Sequence, residues 1–352
     1  MPPPTRSSAN PPSQVTRLAP SPTGALHLGN ARTFLINWAM AVRRGWPVVM
    51  RVEDLDTPRV KPGAEAAALR ELRWLGLTWD GMSDPDEGVT RQRDDLTPYL
   101  DALLRLHAKG LIYPCSLTRK EVAEAAASAP HPRNEATGRD EGVGVIDRSG
   151  HEQRYPGTSR DADASDTSDL LEPSDRCWRL RVPDGPRVVH DGFMGDVSVD
   201  VQAEVGDFVV ASKAGLPAYQ LAVVVDDHRQ GVTDVVRGDD LIGSAARQAW
   251  LWEMLDYRGE PSWWHLPLVL GEDGHRLAKR HGDTRVSWFA ERGVAAERVV
   301  GLLACWCGVG GDDGEPMEMS AAAFAEAFTL DALPREPVVM DERAWRWLGV
   351  NT

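Results

Sequence analysis

The sequence predicts an α/β protein with a parallel sheet of the Rossmann type, a connective insertion and a small helical C-terminal subdomain. Two observations predict this fold. Residues 15–75 alternate between short apolar runs and segments whose apolar residues recur at helical spacing. The first apolar run also ends in a loop rich in proline and glycine. Because ligands bind such sheets at the carboxyl ends of the strands, we expect the site at this loop.

The first four elements follow one another closely. A strand over 15–19 precedes a helix that starts near Leu28 and ends near Gly45. A buried strand over 47–52 comes next, followed by a helix over 62–75. Strand, helix, strand and helix in this order predict a parallel sheet.

The second half of the chain is less regular. Residues 128–176 are rich in Pro, Gly, Ser and Asp without hydrophobic periodicity, which predicts an irregular, partly disordered insertion. We interpret Asp226-Asp227-His228 as a solvated loop at a strand end rather than a metal site. An amphipathic helix is expected over 244–255, and helices after 283. The predicted strands span 178–183, 207–211, 218–225 and 232–236.

These elements divide the chain into five predicted units. They are a disordered leader (1–13), the first half of the catalytic Rossmann domain (14–110), a connective insertion (111–205), the second half of that domain (206–282) and a helical subdomain (283–352).

Composition excludes several classes of protein. The 352 residues carry a formal net charge of −14, which argues against a broad basic surface for nucleic acid. No apolar run approaches the ~20 residues of a membrane helix, and the leader has no signal-peptide pattern. Four scattered cysteines are too few for a disulfide framework. We therefore expect a cytoplasmic protein, with a monomer as the default.

Two segments suit a nucleotide site. In Arg17-Leu-Ala-Pro-Ser-Pro-Thr-Gly-Ala-Leu-His-Leu-Gly-Asn30 the prolines stiffen a loop and the glycines let backbone approach a ligand. His27 supplies a donor, and the next helix offers free N–H groups and a positive dipole end to phosphates. Far downstream, Leu277-Ala-Lys-Arg280 adds the positive charge of Lys279.

Together these segments resemble the HIGH and KMSKS motifs of class I aminoacyl-tRNA synthetases of the glutamate type. Arg51-Val-Glu-Asp-Leu-Asp56 resembles the family's acidic segment after the second strand, and Tyr219 to Asp227 and Val235 to Asp240 resemble the rest of its amino-acid pocket. The resemblance spans roughly residues 14–300. It departs where Ala278 replaces the usual serine. The resemblance implies a glutamate site at Arg17, Leu18, Ala19, Pro20, Ser21, Glu53, Tyr219 and Arg237, ATP binding by His27, Gly29, Asn30 and Lys279, and catalysis by His27 and Lys279.

These residue types suit glutamate activation. Arg237 or Arg17 could bind the side-chain carboxylate in a bidentate manner, and Glu53 could hold the ammonium group. Ser21 and Tyr219 could orient the substrate. Attack of the α-carboxylate on the α-phosphate of ATP, with Mg²⁺ bridging the leaving pyrophosphate, needs mainly positioning and charge stabilisation.

The C-terminal segment after Lys279 indicates which branch of the family the chain resembles. Only 73 residues follow Lys279, and from Asp283 onward 6 Arg face 12 Asp and Glu with no Lys. We therefore expect no anticodon-binding domain. The chain thus resembles the glutamyl-Q tRNA(Asp) synthetases, which activate glutamate without tRNA and transfer it to queuosine in the anticodon loop of tRNA(Asp). Two alternatives stay open: a short glutamyl-tRNA synthetase that charges a 3′ end, and a catalytically weak paralogue with a regulatory role.

The family's zinc site is degenerate here. The resemblance implies four ligands, but Leu117 and Ser159 replace two of the thiolates, which leaves Cys115 and Tyr155. His131 or His151 could contribute, while Cys305 and Cys307 do not rescue the site. Because structural zinc needs four ligands, we predict that zinc is absent.

Overall fold

The computed structural model describes residues 14–84, 87–128, 154–275, 277, 282–311 and 313–349. In this part of the chain the strands are β1 (Thr16–Leu18), β2 (Val48–Val52), β3 (Val89–Arg91), β4 (Ile112–Cys115), β5 (Cys177–Leu180), β6 (Arg187–Asp191), β7 (Gly195–Val199), β8 (Val209–Ala211), β9 (Asp234–Gly238), β10 (Ser262–Leu266), β11 (Val269–Leu270) and β12 (Val338–Val339). The helices are α1 (Leu28–Arg44), α2 (Ala64–Trp74), α3 (Thr97–Ala108), α4 (Arg119–Ser128), α5 (Val201–Glu204), α6 (Tyr219–Arg229), α7 (Ile242–Met254), α8 (Val286–Glu291), α9 (Ala296–Cys305), α10 (Ala321–Ala327) and α11 (Glu342–Leu348).

The central sheet has the strand order β3-β2-β1-β9-β10-β6-β7. Neighbours from β3 to β6 run parallel, and β7 pairs with β6 as an antiparallel hairpin at the edge. This parallel-dominated sheet confirms the predicted Rossmann-type α/β class. Because the strands are parallel, β1, β2, β9 and β10 all end at the same edge of the sheet.

Helices cover both faces of this sheet. Along β9, Val235 packs into the core formed with α3, α6 and α7, whereas Val236 packs into the core formed with α1, α9 and α10. Neighbouring strand residues point to opposite faces, so each strand joins the two cores. The helices predicted after residue 283 therefore complete one face of the sheet. Among the described helices, none is long and apolar enough to cross a membrane.

Helix α1 begins and ends as the sequence predicts. Its buried residues include Leu28, Ala31 and Leu35, which lie on the face toward the sheet. At its end Gly45 adopts a left-handed conformation with φ of 66°. The N–H of Trp46 donates to the carbonyl of Ala41 at 2.9 Å, which closes the helix and returns the chain to β2.

The predicted strand over 218–225 is wrong, because these residues lie mostly in helix α6. The run from Leu221 to Val225 is apolar at every position, and hydrophobic periodicity cannot separate a fully buried strand from a fully buried helix. The helix continues through Asp226 and Asp227, which are 2% and 1% exposed. The solvated loop expected for these two aspartates is therefore also wrong.

The segment predicted as a connective insertion contributes strands to two sheets. Strands β4, β5 and β8 form a small antiparallel sheet, whereas the β6–β7 hairpin extends the central sheet. Residues 154–176 form turns without a helix or strand of their own, in line with the irregular segment expected there. The leader 1–13 and residues 129–153 lie outside the described residues, and the predicted division into five units stays a prediction.

Candidate active site

A cavity of about 550 Å³ opens at the edge where the parallel strands end. Its walls come from the loop after β1, the end of β2, the start of α6, the end of β9 and the turn before β11. Most of the predicted site residues meet here, although they are widely separated in sequence. Those among the walls are Arg17, Ala19, Pro20, Ser21, His27, Gly29, Asn30, Glu53, Tyr219 and Arg237.

Two predicted site residues are not placed at the cavity. The side chain of Leu18 is fully buried in the core that contains α1, because neighbouring residues of β1 point to opposite faces. Lys279 lies outside the described residues, together with Ala278. Leu277, two residues earlier, lines the cavity.

Arg237 places a buried cation in the cavity wall. It sits at the end of β9 and is 6% exposed. Its Nη1 donates to Oε1 of Gln248 at 2.8 Å, and its Nε donates to Nε2 of His265 at 3.0 Å. Among the described residues no carboxylate forms a salt bridge with it. Burial lowers the pKa of Arg237, with a further contribution from Arg17. A buried guanidinium that forms no salt bridge among the described residues would be stabilised by an anionic ligand.

Arg17, in contrast, already has an acidic partner. Its Nε donates to Oδ1 of Asp227 at 3.3 Å, and the same oxygen lies 2.8 Å from Nη1 of Arg51. Arg51 is completely buried and also approaches Oε1 of Glu53 at 3.4 Å. Arg51 thus bridges Asp227 and Glu53 and shares Asp227 with Arg17. Between Arg17 and Arg237, the geometry favours Arg237 as the group left for a substrate carboxylate.

Glu53 presents a carboxylate to the same cavity. The Oγ of Ser21 donates to its Oε2 at 3.4 Å, which leaves Ser21 and Glu53 side by side in the wall. Burial raises the pKa of Glu53, although the positive charges of Arg51 and Arg17 oppose this effect. Tyr219 begins helix α6, is 42% exposed and lines the cavity.

The phosphate end of the predicted site is the N-terminus of α1. His27 directly precedes this 17-residue helix, whose first turn contains no acidic side chain. Its Nδ1 lies 3.1 Å from Oγ1 of Thr284, and the N–H of Leu28 donates to the Thr284 carbonyl at 3.0 Å. Through these two contacts, Thr284, which follows the KMSKS-like segment, packs against the HIGH-like motif. The amides of Gly29 and Asn30, in the first turn, have no helical acceptor and suit an anion.

The remnants of the zinc site, Cys115 and Tyr155, lie side by side. Sγ of Cys115 is 3.6 Å from both Oη of Tyr155 and Oγ of Ser159. The thiol of Cys177, opposite Cys115 in the β4–β5 register, donates to the Cys115 carbonyl at 3.3 Å. No group of three His, Cys, Asp or Glu among the described residues could hold a metal ion. This donor set does not fit structural zinc; His131 and His151 lie outside the described residues.

Three residues that shape the site have no individual role in the sequence-based prediction. Asp227 belongs to a segment that resembles the amino-acid pocket but is expected in a solvated loop. Arg51 has no role within its motif, and no strand is predicted at His265. The apolar run before Asp227 could have indicated that this aspartate is buried, because a buried helix over that run would bury the aspartate as well. Nothing local to His265 indicates that it meets Arg237, because their pairing arises from the β9–β10 register.

Comparisons with known proteins agree on one family. Residues 14–343 match the family described as tRNA synthetases class I (E and Q), catalytic domain. The glutamyl-Q tRNA(Asp) synthetase of Rhodopirellula baltica is 43% identical over 340 residues, which are 94% of this chain and 97% of the relative. Glutamate–tRNA ligase 2 of Syntrophus aciditrophicus is 35% identical over 95% of this chain but only 65% of its own length.

Solved structures show the same fold. A glutamate tRNA ligase from Elizabethkingia meningosepticum superposes with a TM-score of 0.73 at 24% identity, covering 95% of this chain and 68% of that one. At this level of identity the likeness concerns the fold. It agrees with the parallel-dominated central sheet described above.

Proposed function

Since the chain belongs to the catalytic-domain family of class I tRNA synthetases for glutamate and glutamine, we propose that it activates L-glutamate with ATP and transfers it to queuosine of tRNA(Asp). The observation that carries the proposal is the cavity itself. It holds the buried guanidinium of Arg237, which forms no salt bridge among the described residues, and the carboxylate of Glu53. This pairing suits an amino acid with an acidic side chain. The match to a glutamyl-Q tRNA(Asp) synthetase over 94% of this chain and 97% of that relative supports the choice of acceptor.

Glutamate binds through complementary charges. Arg237 takes the side-chain carboxylate in a charge-assisted, bidentate contact, and Glu53 takes the ammonium group. Ser21 and Tyr219 orient the substrate by hydrogen bonds, and Arg17 adds positive charge while bound to Asp227. These roles leave the α-carboxylate free to face the nucleotide.

Activation needs little covalent chemistry from the protein. ATP enters as its magnesium complex, with its phosphates at His27 and the first-turn amides of α1. An α-carboxylate oxygen attacks the α-phosphorus, the bond from this phosphorus to the bridging oxygen breaks, and magnesium pyrophosphate leaves. Positive charge from Lys279 and donors near His27 stabilise the transition state. In the second step a hydroxyl of the queuosine cis-diol attacks the glutamyl carbonyl, and AMP leaves.

Pyrophosphate exchange tests the first step. Purified protein with ATP, labelled pyrophosphate and glutamate should exchange label without any tRNA. A charging enzyme of the short glutamyl-tRNA synthetase type would need tRNA for exchange. A chain without exchange under either condition would be a catalytically weak paralogue, and this result would overturn the proposed activity.

Glu53 makes glutamate binding depend on pH. It must be ionised to hold the ammonium group, and burial raises its pKa. The ionised form is therefore lost at a higher pH than for an ordinary glutamate, so the KM for glutamate should increase as the pH falls toward about 5. Glu53→Gln should raise this KM about tenfold or more at neutral pH and flatten its acidic pH dependence.

The matched control is Asp56→Asn, which removes a half-exposed carboxylate three residues away and should leave the profile unchanged. A KM for glutamate that stays constant from neutral pH to about pH 5 in the wild type would contradict the role of Glu53. The KM for ATP serves as an internal reference in the same exchange assays.

We also propose that the chain folds without structural zinc, because Cys115, Tyr155 and Ser159 satisfy one another. Metal analysis of the purified protein should find well below one zinc per chain, and treatment with a zinc-selective chelator should leave exchange, assayed with excess magnesium, unchanged. Stoichiometric zinc whose removal lowers the melting temperature would contradict this expectation. The cytoplasmic location, the monomeric state and the anticodon loop as partner belong to the same proposal.

A further inference from the structure

A row of three polar residues crosses neighbouring strands beneath the cavity. Arg237 on β9 lies opposite His265 on β10, and Asp191 ends β6 on the far side of β10. Nε of Arg237 lies 3.0 Å from Nε2 of His265, whose Nδ1 lies 2.6 Å from Oδ2 of Asp191. The side chains of His265 and Asp191 are fully buried and are not among the cavity walls.

The hydrogen-bond partners determine where the protons are. A guanidinium Nε can only donate, so Nε2 of His265 must accept and its Nδ1 must carry the proton toward Asp191. His265 is therefore neutral. Burial agrees with this assignment, since it lowers the pKa of His265 to about 4 although Asp191 opposes the effect.

Asp191 is itself held in place. Its Oδ1 accepts from the backbone N–H groups of Phe193 and Met194 at 2.9 and 2.7 Å. Its Oδ2 accepts from the backbone N–H of His265 at 3.0 Å in addition to the imidazole. Both oxygens thus act only as acceptors, and an amide in place of the carboxylate could not satisfy all these donors.

We propose that Asp191 and His265 are positioning residues that aim Arg237 at the substrate carboxylate and thereby select glutamate over glutamine. This inference rests on the proposed binding of glutamate. A carboxylate bonded directly to Arg237 would compete with the substrate for its positive charge. A neutral imidazole placed between them fixes the guanidinium while leaving its charge for the ligand. Glutamine, whose side chain is neutral, would leave that buried cation without a counter-charge.

Asp191→Asn is the most informative variant because it changes almost no volume. Its amide disturbs either the imidazole tautomer or the backbone donors, so Arg237 loses its fixed orientation. The expected result is a KM for glutamate about 10- to 100-fold higher and a lower ratio of glutamate to glutamine kcat/KM. The KM for ATP should change less than about threefold.

The β6–β7 hairpin offers a matched control. Asp196 lies in the same hairpin, but its pair with His190 is 71% and 80% exposed, so Asp196→Asn should behave like the wild type. At His265, the Gln variant restores an acceptor for Arg237 and should retain more glutamate affinity than His265→Phe. A purely structural role would move the KM values for ATP and glutamate together.

Binding of glutamate measured by calorimetry without ATP separates this inference from the proposed function. If the wild type binds glutamate but does not exchange pyrophosphate, the proposed activity fails while Asp191→Asn can still be judged by its Kd. Glutamate affinity and glutamine discrimination that are unchanged in both Asp191→Asn and His265→Phe would overturn the positioning role. A wild type that binds no glutamate would overturn both.

Discussion

Replacing Arg237 with alanine is expected to raise the KM for glutamate by about 100-fold or more. The variant loses a charge-assisted, desolvated contact. Truncating one partner of such a pair typically removes about 2–5 kcal/mol, which corresponds to roughly 1.5 to 3.7 powers of ten in KM. The loss should concern glutamate alone, because the proposed phosphate site is at the N-terminus of α1. Pyrophosphate exchange at varied glutamate and fixed, saturating ATP measures it.

The stability of Arg237→Ala should change little, in contrast to its KM for glutamate. Arg237 is buried and, among the described residues, has neutral hydrogen-bond partners at His265, Gln248 and the Leu241 carbonyl. Removing a desolvated cation offsets part of the packing that is lost, so the free energy of unfolding should change by only about 1 kcal/mol. Arg237→Met, which fills more of the space, should come closer still to the wild type.

Two further variants decide whether the effect is specific. Arg179→Ala removes another buried arginine, one that bonds the Asp207 carbonyl in the small sheet, and should leave the KM for glutamate unchanged. Arg17→Ala tests the competing assignment. An unchanged KM in Arg237→Ala with a large increase in Arg17→Ala would move the side-chain carboxylate to Arg17.

Replacing Arg51 with methionine is expected to reduce the free energy of unfolding by about 3–5 kcal/mol. Arg51 is fully buried between Asp227 and Glu53. Burial alone would lower the pKa of Arg51, but these carboxylates raise it above its ordinary value, so the cation is firmly held. Without it, among the described residues, Asp227 keeps a salt bridge to Arg17 and Glu53 keeps none. Thermal unfolding should shift downward by roughly 10 °C.

The control for this variant is an exposed pair. Arg59 approaches Asp56 at 3.2 Å with side chains 76% and 48% exposed, so Arg59→Met should change stability by less than about 0.5 kcal/mol. Combining Arg51→Met with Asp227→Asn should recover part of the loss, because one uncompensated carboxylate is removed. A loss below about 1 kcal/mol in Arg51→Met would contradict the account of this network.

Much of the site could be predicted because its residues follow strands directly. Ser21, His27 and Glu53 lie in loops at strand ends, and a parallel sheet brings such loops together whatever their separation in sequence. The resemblance assigns Leu18 to the glutamate site together with its neighbours in the motif. Alternation along β1 nevertheless turns its side chain into the core. Local pattern alone does not decide which side of a strand faces the ligand.

The other site residues could not be predicted because contacts between segments far apart in sequence bring them together. Asp226 and Asp227 are buried because α6 packs between β8, α3 and α7, a fact that no window of sequence around them contains. His265 and Asp191 are 74 residues apart and meet through the β10–β6 pairing. Their role follows from register, which is set by the whole sheet rather than by the residues themselves.

Transfer of labelled glutamate to purified tRNA(Asp) tests the central claim most directly. The reaction is run with queuosine-containing and queuosine-free tRNA, each with and without prior periodate oxidation. The account predicts label only on the queuosine-containing tRNA, and its loss when periodate destroys the cis-diol. Label on the 3′ end of a queuosine-free tRNA(Glu) would contradict the account and identify an enzyme that charges tRNA instead.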